Sequence, residues 1–453
     1  MRRRWLVVVA LLAGCDTGYG SFLQTVPVDD PQPDRPVEVF LGIDGLSRAS
    51  FDEARAQGAF AGWAAADLVT FFPGVSDYSW MRLLRAGRMP GYEIQHYDRQ
   101  SNTLYGAGLT GVFEHPLRQG LLDPLPCYRR FDFLGDGDLW MLYGYSDPEA
   151  ALPSTLDALF EALATRGRVQ PTYLAYLLNV DVVAHHGGFA RAVAMLVEID
   201  RRLRDFQERH PGRFRFTIVS DHGNAHLPAT LIDPRELLRQ VGVQPVEALG
   251  ADATVLEAIP IVHVRVNFVS VHARPEQTEE VAARTSRHEW VDLAAAPLGA
   301  PGRFAVFRRG SPLAFTRRAD GAVMVEHAAA WRALGIDLSP WVDPSTGVAL
   351  LGDREAFEAT RAGPYPDVFY RVATAFATDV VDEPASVILS LRDDVASYGF
   401  HLPGGGDTLA VDGFHGALSR ASTLSVVASQ THALPPAMRA DDVTTLFPEL
   451  APR

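Results

Sequence analysis

The chain of 453 residues contains no lysine; all 41 of its basic residues are arginine. That absence removes Schiff-base chemistry, lysine nucleophiles and the lysine of a phosphate-cradling P-loop from consideration. Cysteine is scarce as well, with only Cys15 and Cys127. If Cys15 is modified, no intramolecular disulfide is available, and Cys127 is expected as a buried free thiol. Positive charge is in deficit: the formal net charge is −14, which argues against a nucleic-acid polymer held through its phosphates. What the chain does have is 47% hydrophobic and 21% charged residues, the balance of a soluble globular protein. Its length calls for one large domain with an insertion, or for two domains.

At the N-terminus, Arg2-Arg3-Arg4 precedes an apolar run from Trp5 to Leu12 that is too brief to span a bilayer as a helix. The run ends in Leu12-Ala13-Gly14-Cys15, which resembles the lipobox of bacterial lipoproteins, where the cysteine is acylated and becomes the first residue. Residues 1–15 are therefore expected to be a lipoprotein signal peptide, with Cys15 as the lipidation site. Residues 16–36, rich in proline, aspartate and glycine, read as a tether. An exported protein follows, lipid-anchored to a bacterial membrane and facing the periplasm or cell surface, with membrane contact through the lipid alone. An ordinary secretory signal is the alternative.

The folded part opens at Val37-Glu38-Val39-Phe40-Leu41-Gly42-Ile43-Asp44-Gly45, an apolar strand ending in aspartate and glycine. Ala66 to Pro73 is a further strand, and Gly74-Val75-Ser76-Asp77-Tyr78 turns from it into a helix. Ser76 would stand at that helix's start, where N–H groups and the dipole favour an anion. Thr172 to Leu178 is another apolar strand, followed at once by Asn179-Val180-Asp181-Val182-Val183-Ala184-His185. Asp181 and His185, at i and i+4, share a face if one helical turn forms there. Ala190 to Glu208 is a periodic helix. Then Phe214-Arg215-Phe216-Thr217-Ile218-Val219 runs into Ser220-Asp221-His222-Gly223-Asn224-Ala225-His226, a buried strand ending in a carboxylate and two imidazoles. Ligands of open α/β sheets gather beyond such strand ends. Residues 255–345 show a β-α-β-β pattern that reads as a small inserted α+β subdomain. Ser386 to Leu391 then resumes a core strand, and a glycine-rich loop carries Gly413-Phe414-His415-Gly416-Ala417-Leu418. Residues 433–450 read as a last capping helix.

Taken singly these residues are weak signals; together they offer what a dinuclear hydrolase requires. Such an enzyme needs two sets of Asp or His donors with coordination left open for substrate. It also needs a hydroxyl nucleophile beside one ion. The chain resembles the alkaline phosphatase superfamily, and within it the type I phosphodiesterase and nucleotide pyrophosphatase branch. The matching pieces are Gly42-Ile43-Asp44-Gly45, Pro73-Gly74-Val75-Ser76, Asp181-x-x-x-His185, Ser220-Asp221-His222-Gly223 and His415-Gly416-Ala417-Leu418. They occur in the family's order.

The resemblance implies an α/β fold: a three-layer sandwich whose mostly parallel central sheet is flanked by helices, with residues 37–453 as the catalytic domain and residues 255–345 as an inserted lid. It implies two divalent ions, zinc first among them, one held by Asp181, His185 and His415 and the other by Asp44, Asp221 and His222. Ser76 would attack phosphorus to give a phosphoseryl intermediate, which is then hydrolysed. Asn102, Arg82 and Arg85 are candidates for substrate phosphate contacts, while His186 and His226 are neighbours of the ligands. The expected function is hydrolysis of a small-molecule or headgroup phosphate ester, as a phosphodiesterase or pyrophosphatase.

The departures from the family narrow the choice. Serine stands where threonine is usual in this branch, and Tyr78 stands where a proline is usual. Sulfatases need that proline and an arginine two residues further on, where this chain has Trp80. The phosphoglycerate mutase relatives use lysine, which is absent. The alternatives are a phosphomonoesterase or phosphonate hydrolase with the same site, and a catalytically weak surface lipoprotein that uses the fold for binding.

Overall fold

The computed structural model describes residues 36–93, 95–106, 125–135, 144, 147–165, 171–263, 266–397 and 412–452. Cys15, the expected signal peptide and nearly all of the expected tether lie outside those residues. In chain order the strands are β1 (Val37–Ile43), β2 (Ala64–Val69), β3 (His96–Asp98), β4 (Thr103–Tyr105), β5 (Thr172–Leu177) and β6 (Phe214–Val219). They continue as β7 (Thr230–Ile232), β8 (Gln244–Pro245), β9 (Glu257–Ile261), β10 (Phe268–His272), β11 (Val291–Pro297) and β12 (Arg303–Arg308). The last are β13 (Ser311–Arg317), β14 (Val323–Val325), β15 (Ala349–Leu351), β16 (Val387–Leu391), β17 (Val395–Ser397), β18 (Leu424–Ser429) and β19 (Ala437–Arg439). Four helices position the site: α1 (Arg48–Ala56), α2 (Ser76–Leu83), α3 (Pro148–Thr165) and α4 (Asn179–Arg209).

The fold is α/β. Six strands form one sheet in the order β19-β2-β18-β6-β1-β5. Here β1 pairs in parallel with β5 and β6, and β19 with β2, while β18 runs antiparallel to both of its neighbours. Every residue of β1 except Glu38 is buried, so its nearly unbroken apolar run is that of a strand covered on both faces. The pleat divides that run. Val37, Val39, Leu41 and Ile43 pack with Phe51 of α1, Leu156 of α3 and Leu196 of α4. Phe40 faces the other way, into a cluster with Trp80 and Met81 of α2. Full burial of each such side chain contributes about 1.5–3 kcal/mol, which ties the register of β1 to both layers.

That second cluster also takes in Leu293, Val306 and Phe315, which belong to a nine-stranded sheet in the order β15-β14-β13-β12-β11-β16-β10-β9-β8. The strands within residues 255–345 all belong to this sheet and share it with β16. This corrects one sequence expectation: β16 does not rejoin the six-stranded sheet; it lies antiparallel between β10 and β11. All five of its residues are buried, and a short apolar run does not reveal which sheet will bury it. The tail differs too: residues 433–450 contain the edge strand β19 and three single helical turns, the last opening at Pro448, which a continuous helix would not accommodate.

Candidate metal centre

The parallel pairing of β1, β5 and β6 brings three strand ends side by side. Asp44 follows β1, Asp221 and His222 follow β6, and Asp181 and His185 lie in the opening turns of α4, directly after β5. Residues 179–209 form one continuous run of helix with a kink at Gly188, whose φ is 69°, so the i and i+4 positions of Asp181 and His185 do share a face. Ser76 opens α2 at the same edge. His415 arrives there because β18 is antiparallel, so the loop that feeds it ends where β6 ends.

The structure brings the seven residues together as two adjacent sets of buried donors around one hydroxyl. Asp181, His185 and His415 each present a donor atom within 4.8 Å of the others, and so do Asp44, Asp221 and His222. In the first set His185 Nε2 lies 3.1 Å from Asp181 Oδ2, and His415 Nε2 lies 4.0 Å from Asp181 Oδ1. In the second, His222 Nε2 is 3.3 Å from Asp44 Oδ1 and 3.6 Å from Asp221 Oδ2. The rings of His222 and His415 stack at 3.7 Å and join the sets. Between them, Ser76 Oγ donates to Asp44 Oδ1 at 3.1 Å and sits 3.2 Å from His222 Nε2.

The orientation of the rings comes from the backbone. His185 Nδ1–H donates to the carbonyl of Gly413 at 2.6 Å, His415 Nδ1–H to that of Gly74 at 2.7 Å, and His222 Nδ1–H to that of Gly223 at 2.9 Å. A carbonyl only accepts, so each Nδ1 carries a proton and each Nε2 is turned toward the donors of its set. Gly45 sits between the two sets. Its N–H donates to Asp221 Oδ1 at 3.1 Å, and its φ of 62° lets the bare Cα lie against Asp181.

The donor sets fit divalent cations. Asp181 Oδ1 and Asp221 Oδ2 are buried with no hydrogen-bond partner, an arrangement that requires an explanation in a native core. Electrostatics point the same way. Burial, then the neighbouring Asp44 carboxylate, push the Asp221 carboxyl well above its usual range. For His222, burial opposes the charged ring, but Asp221, Asp44 and Asp181 outweigh it and lift the ring to about 10. Burial also opposes ionisation of Asp181, yet His185, His415 and His222 hold its carboxyl low. His415, by contrast, is driven well below its ordinary value by burial and by His222. Three carboxylates are thus crowded together in a buried site, and a bound cation would relieve that crowding.

Other expected residues lie elsewhere. Arg82 donates to Asp379 and Asp441, so its guanidinium is engaged in ion pairs that tie α2 to two distant segments. Asn102 holds a loop: it accepts from Tyr97 Oη and from the Leu249 N–H, and donates to the Leu249 carbonyl. Arg85 is exposed beyond the far end of α2, nine residues after Ser76. His226 contributes no donor to either set; its Nε2 lies 2.8 Å from Ser47 Oγ, and burial lowers it to about 4.

Two contacts escaped sequence reasoning. Tyr176 donates its hydroxyl to Asp44 Oδ2, and Tyr128 donates to Asp77, the residue after Ser76, at 2.8 Å. Burial and the nearby Glu93 raise the Asp77 carboxyl to about 7. The signal for Tyr176 was its place in the register, opposite Gly42 and two residues from Asp44.

No family model matches the sequence, and no curated protein matches it. Among solved structures, the chain is similar to phosphonoacetate hydrolase from Sinorhizobium meliloti 1021, at 14% identity over 92% of this chain and 96% of that one, with a TM-score of 0.49. It is also similar to human ectonucleotide pyrophosphatase/phosphodiesterase 5, at 10% identity over 92% and 94% of the two chains, with a TM-score of 0.45. The murine counterpart of that protein gives 8% identity, 92% and 95% coverage, and a TM-score of 0.44.

Proposed function

We propose that the chain is a hydrolase of phosphate esters, acting first on phosphodiesters or pyrophosphates, with Ser76 as nucleophile at a two-metal site of the alkaline phosphatase type. The observation that carries this reading is the position of Ser76 Oγ, within hydrogen-bond distance of Asp44 and His222 of one donor set, while the ring of His222 stacks on His415 of the other. Asp181, His185 and His415 would hold one ion, and Asp44, Asp221 and His222 the other, with zinc favoured by the carboxylate and imidazole donors. When bound, the two cations would favour the serine alkoxide and neutralise charge on the phosphoryl oxygens.

The chain's own residues do the rest. Val75 caps α2 without a side-chain bond, which leaves the first N–H groups of the helix to receive phosphoryl oxygens beside Ser76. Ser76 Oγ, held by Asp44, would attack phosphorus in line with the leaving oxygen. A P–O bond to serine forms and the ester P–O bond breaks; the alcohol departs with a proton equivalent to the one the serine hydroxyl gives up, and the phosphoryl group stays on serine, still carrying the second ester group of a diester. Water then attacks the same phosphorus and the serine P–O bond breaks, which releases the phosphate monoester and restores the Ser76 hydroxyl. The proposal includes export and acylation at Cys15, on the strength of the pattern from Arg2 to Cys15; mass spectrometry of the membrane fraction tests that part.

The decisive experiment compares turnover of bis(p-nitrophenyl) phosphate and p-nitrophenyl phosphate by the wild type and by Ser76→Ala, with and without chelator. Diester turnover that falls by about 10³-fold or more on substitution, and also on chelation, is the expected result. Activity indifferent to both would sink the reading, and faster monoester turnover would make the protein a phosphomonoesterase.

A further inference from the structure

Two loops meet at the site: residues 70–75, between β2 and α2 and leading into Ser76, and residues 412–419, which carry His415. They are bonded to each other, because His415 donates to the Gly74 carbonyl at 2.7 Å and the Gly74 N–H donates to Gly416 at 3.4 Å. Behind them lies Arg371, on the helix Val368–Ala375, with only 1% of its surface exposed. Its Nη2 donates to the carbonyls of Phe71 at 3.0 Å and Ala417 at 3.4 Å; its Nη1 donates to Leu418 at 3.0 Å and Pro366 at 3.4 Å. One guanidinium therefore spans both loops.

This is a costly way to fill a core. A buried charge is expensive to desolvate, and an apolar side chain of similar volume would pack there without that cost. Arg371 has no ion pair among the described contacts. The acid whose charge acts on it, Asp367, is itself paired with Arg439, and burial brings the guanidinium down to about 9. What the planar fork supplies, and a methionine would not, is several donors fixed at once on carbonyls of two separate loops.

We infer that Arg371 is a positioning residue, which locks the Ser76 loop to the His415 loop and thereby sets the His415 ring toward a divalent cation shared with Asp181 and His185. The inference rests on the two-metal reading of the site. The His415 ring is anchored to Gly74, so any slip of one loop against the other turns its Nε2 away from Asp181. The opposite side of the His415 loop is already fixed: Asn267 donates its N–H to the His415 carbonyl, and its Oδ1 accepts from the Ala417 N–H. Relaxation after loss of Arg371 is thus directed to the Ser76 side.

The test is titration of metal-free wild type, Arg371→Met, Arg371→Gln and Val372→Ala with Co2+, followed by visible absorption. Val372→Ala removes buried apolar packing from the same helix and no hydrogen-bonding side chain. Wild type should take two equivalents. Both Arg371 variants should take the first at wild-type affinity and the second about tenfold to a hundredfold more weakly, with kcat falling more than KM rises. Val372→Ala should unfold earlier in urea yet titrate as wild type. Wild-type affinity for both ions in Arg371→Met and Arg371→Gln would overturn the inference, and so would an equal weakening in Val372→Ala. Loss of the fold in both Arg371 variants would overturn it as well, since Arg371 would then belong to the fold and not to the site. A wild type that binds no more than one ion would instead sink the two-metal reading, whatever the variants do.

Discussion

Gly45 offers the sharpest test of the geometry. A Cβ placed on it would lie 2.3 Å from Asp181 Oδ1, 2.7 Å from Asp181 Cβ and 2.8 Å from Asp181 Cγ. Carbon contacts settle near about 3.5–4.0 Å, so Gly45→Ala requires Asp181 to retreat by on the order of 1 Å. Asp181 is buried in the first turn of α4, between Val180 and Val182 of the core, and has little room to do so. Overpacking of this kind costs about 1–3 kcal/mol, and alanine at a φ of 62° adds about 1–2 kcal/mol. The metal-free variant should therefore lose about 2–5 kcal/mol, read from urea unfolding by circular dichroism. The effect on binding should be one-sided. Asp221 is met by the Gly45 N–H, which alanine retains, so the Asp44, Asp221 and His222 set should still take an ion. The Asp181, His185 and His415 set should bind at least about a hundredfold more weakly, since even outer partners of a ligand are worth about 10–100-fold. A Gly45→Ala protein with wild-type stability and two tightly bound ions would refute the assignment of Asp181 to the site.

The remaining predictions address other parts of the molecule. Tyr176→Phe removes the hydroxyl given to Asp44 and should lower the stability of the metal-free protein by about 1–3 kcal/mol in urea unfolding; an unchanged midpoint would show that the contact is not made. His272 is buried, and burial first, then Arg99, lower it to about 3. It is neutral when folded but gains a proton near pH 6.5 when unfolded, so its contribution is complete above pH 6.5 and is lost as pH falls toward 3, by up to about 5 kcal/mol. His272→Leu should flatten the fall of stability across that window, and parallel profiles would refute the burial of a neutral ring. Cys127 is fully buried, and burial raises its thiol well above the ordinary value. In a Cys15→Ser chain it should resist thiol reagents until urea is added; fast labelling of the native protein would contradict its placement.

Much of the site was legible because each residue sits at the end of a strongly marked apolar run. Asp44 after β1, Asp181 after β5 and Asp221-His222 after β6 stand where a buried strand gives way to polar residues, and that change of character is visible in one dimension. The glycine after Asp44 is legible as a turn, but its contact with Asp181, 136 positions away in the chain, is not. Arg82 misled for the opposite reason. An arginine on the helix that begins with Ser76 looks like a phosphate ligand, yet Asp379 and Asp441 reach it from distant segments. The strand at Val387–Leu391 misled because strand character was visible and partnership was not; β16 is as apolar as a strand of the six-stranded sheet but bonds to β10 and β11.

The sequence by itself determined the chemistry on offer: no lysine, seven Asp, His and Ser groups at strand ends and loops, and enough alternating and continuous apolar runs to predict an α/β fold. These are local properties, carried by residue type and by spacing over one or two turns. Tertiary structure alone decided which of those groups meet. Parallel pairing aligns the ends of β1, β5 and β6, and the antiparallel β18 returns His415 to the same edge. Backbone carbonyls of Gly413, Gly74 and Gly223 turn the three rings, and Arg371 ties together loops separated by more than 300 residues. Such contacts depend on the closure of long loops, whose outcome is set by the packing of the whole chain and leaves no periodic trace along it.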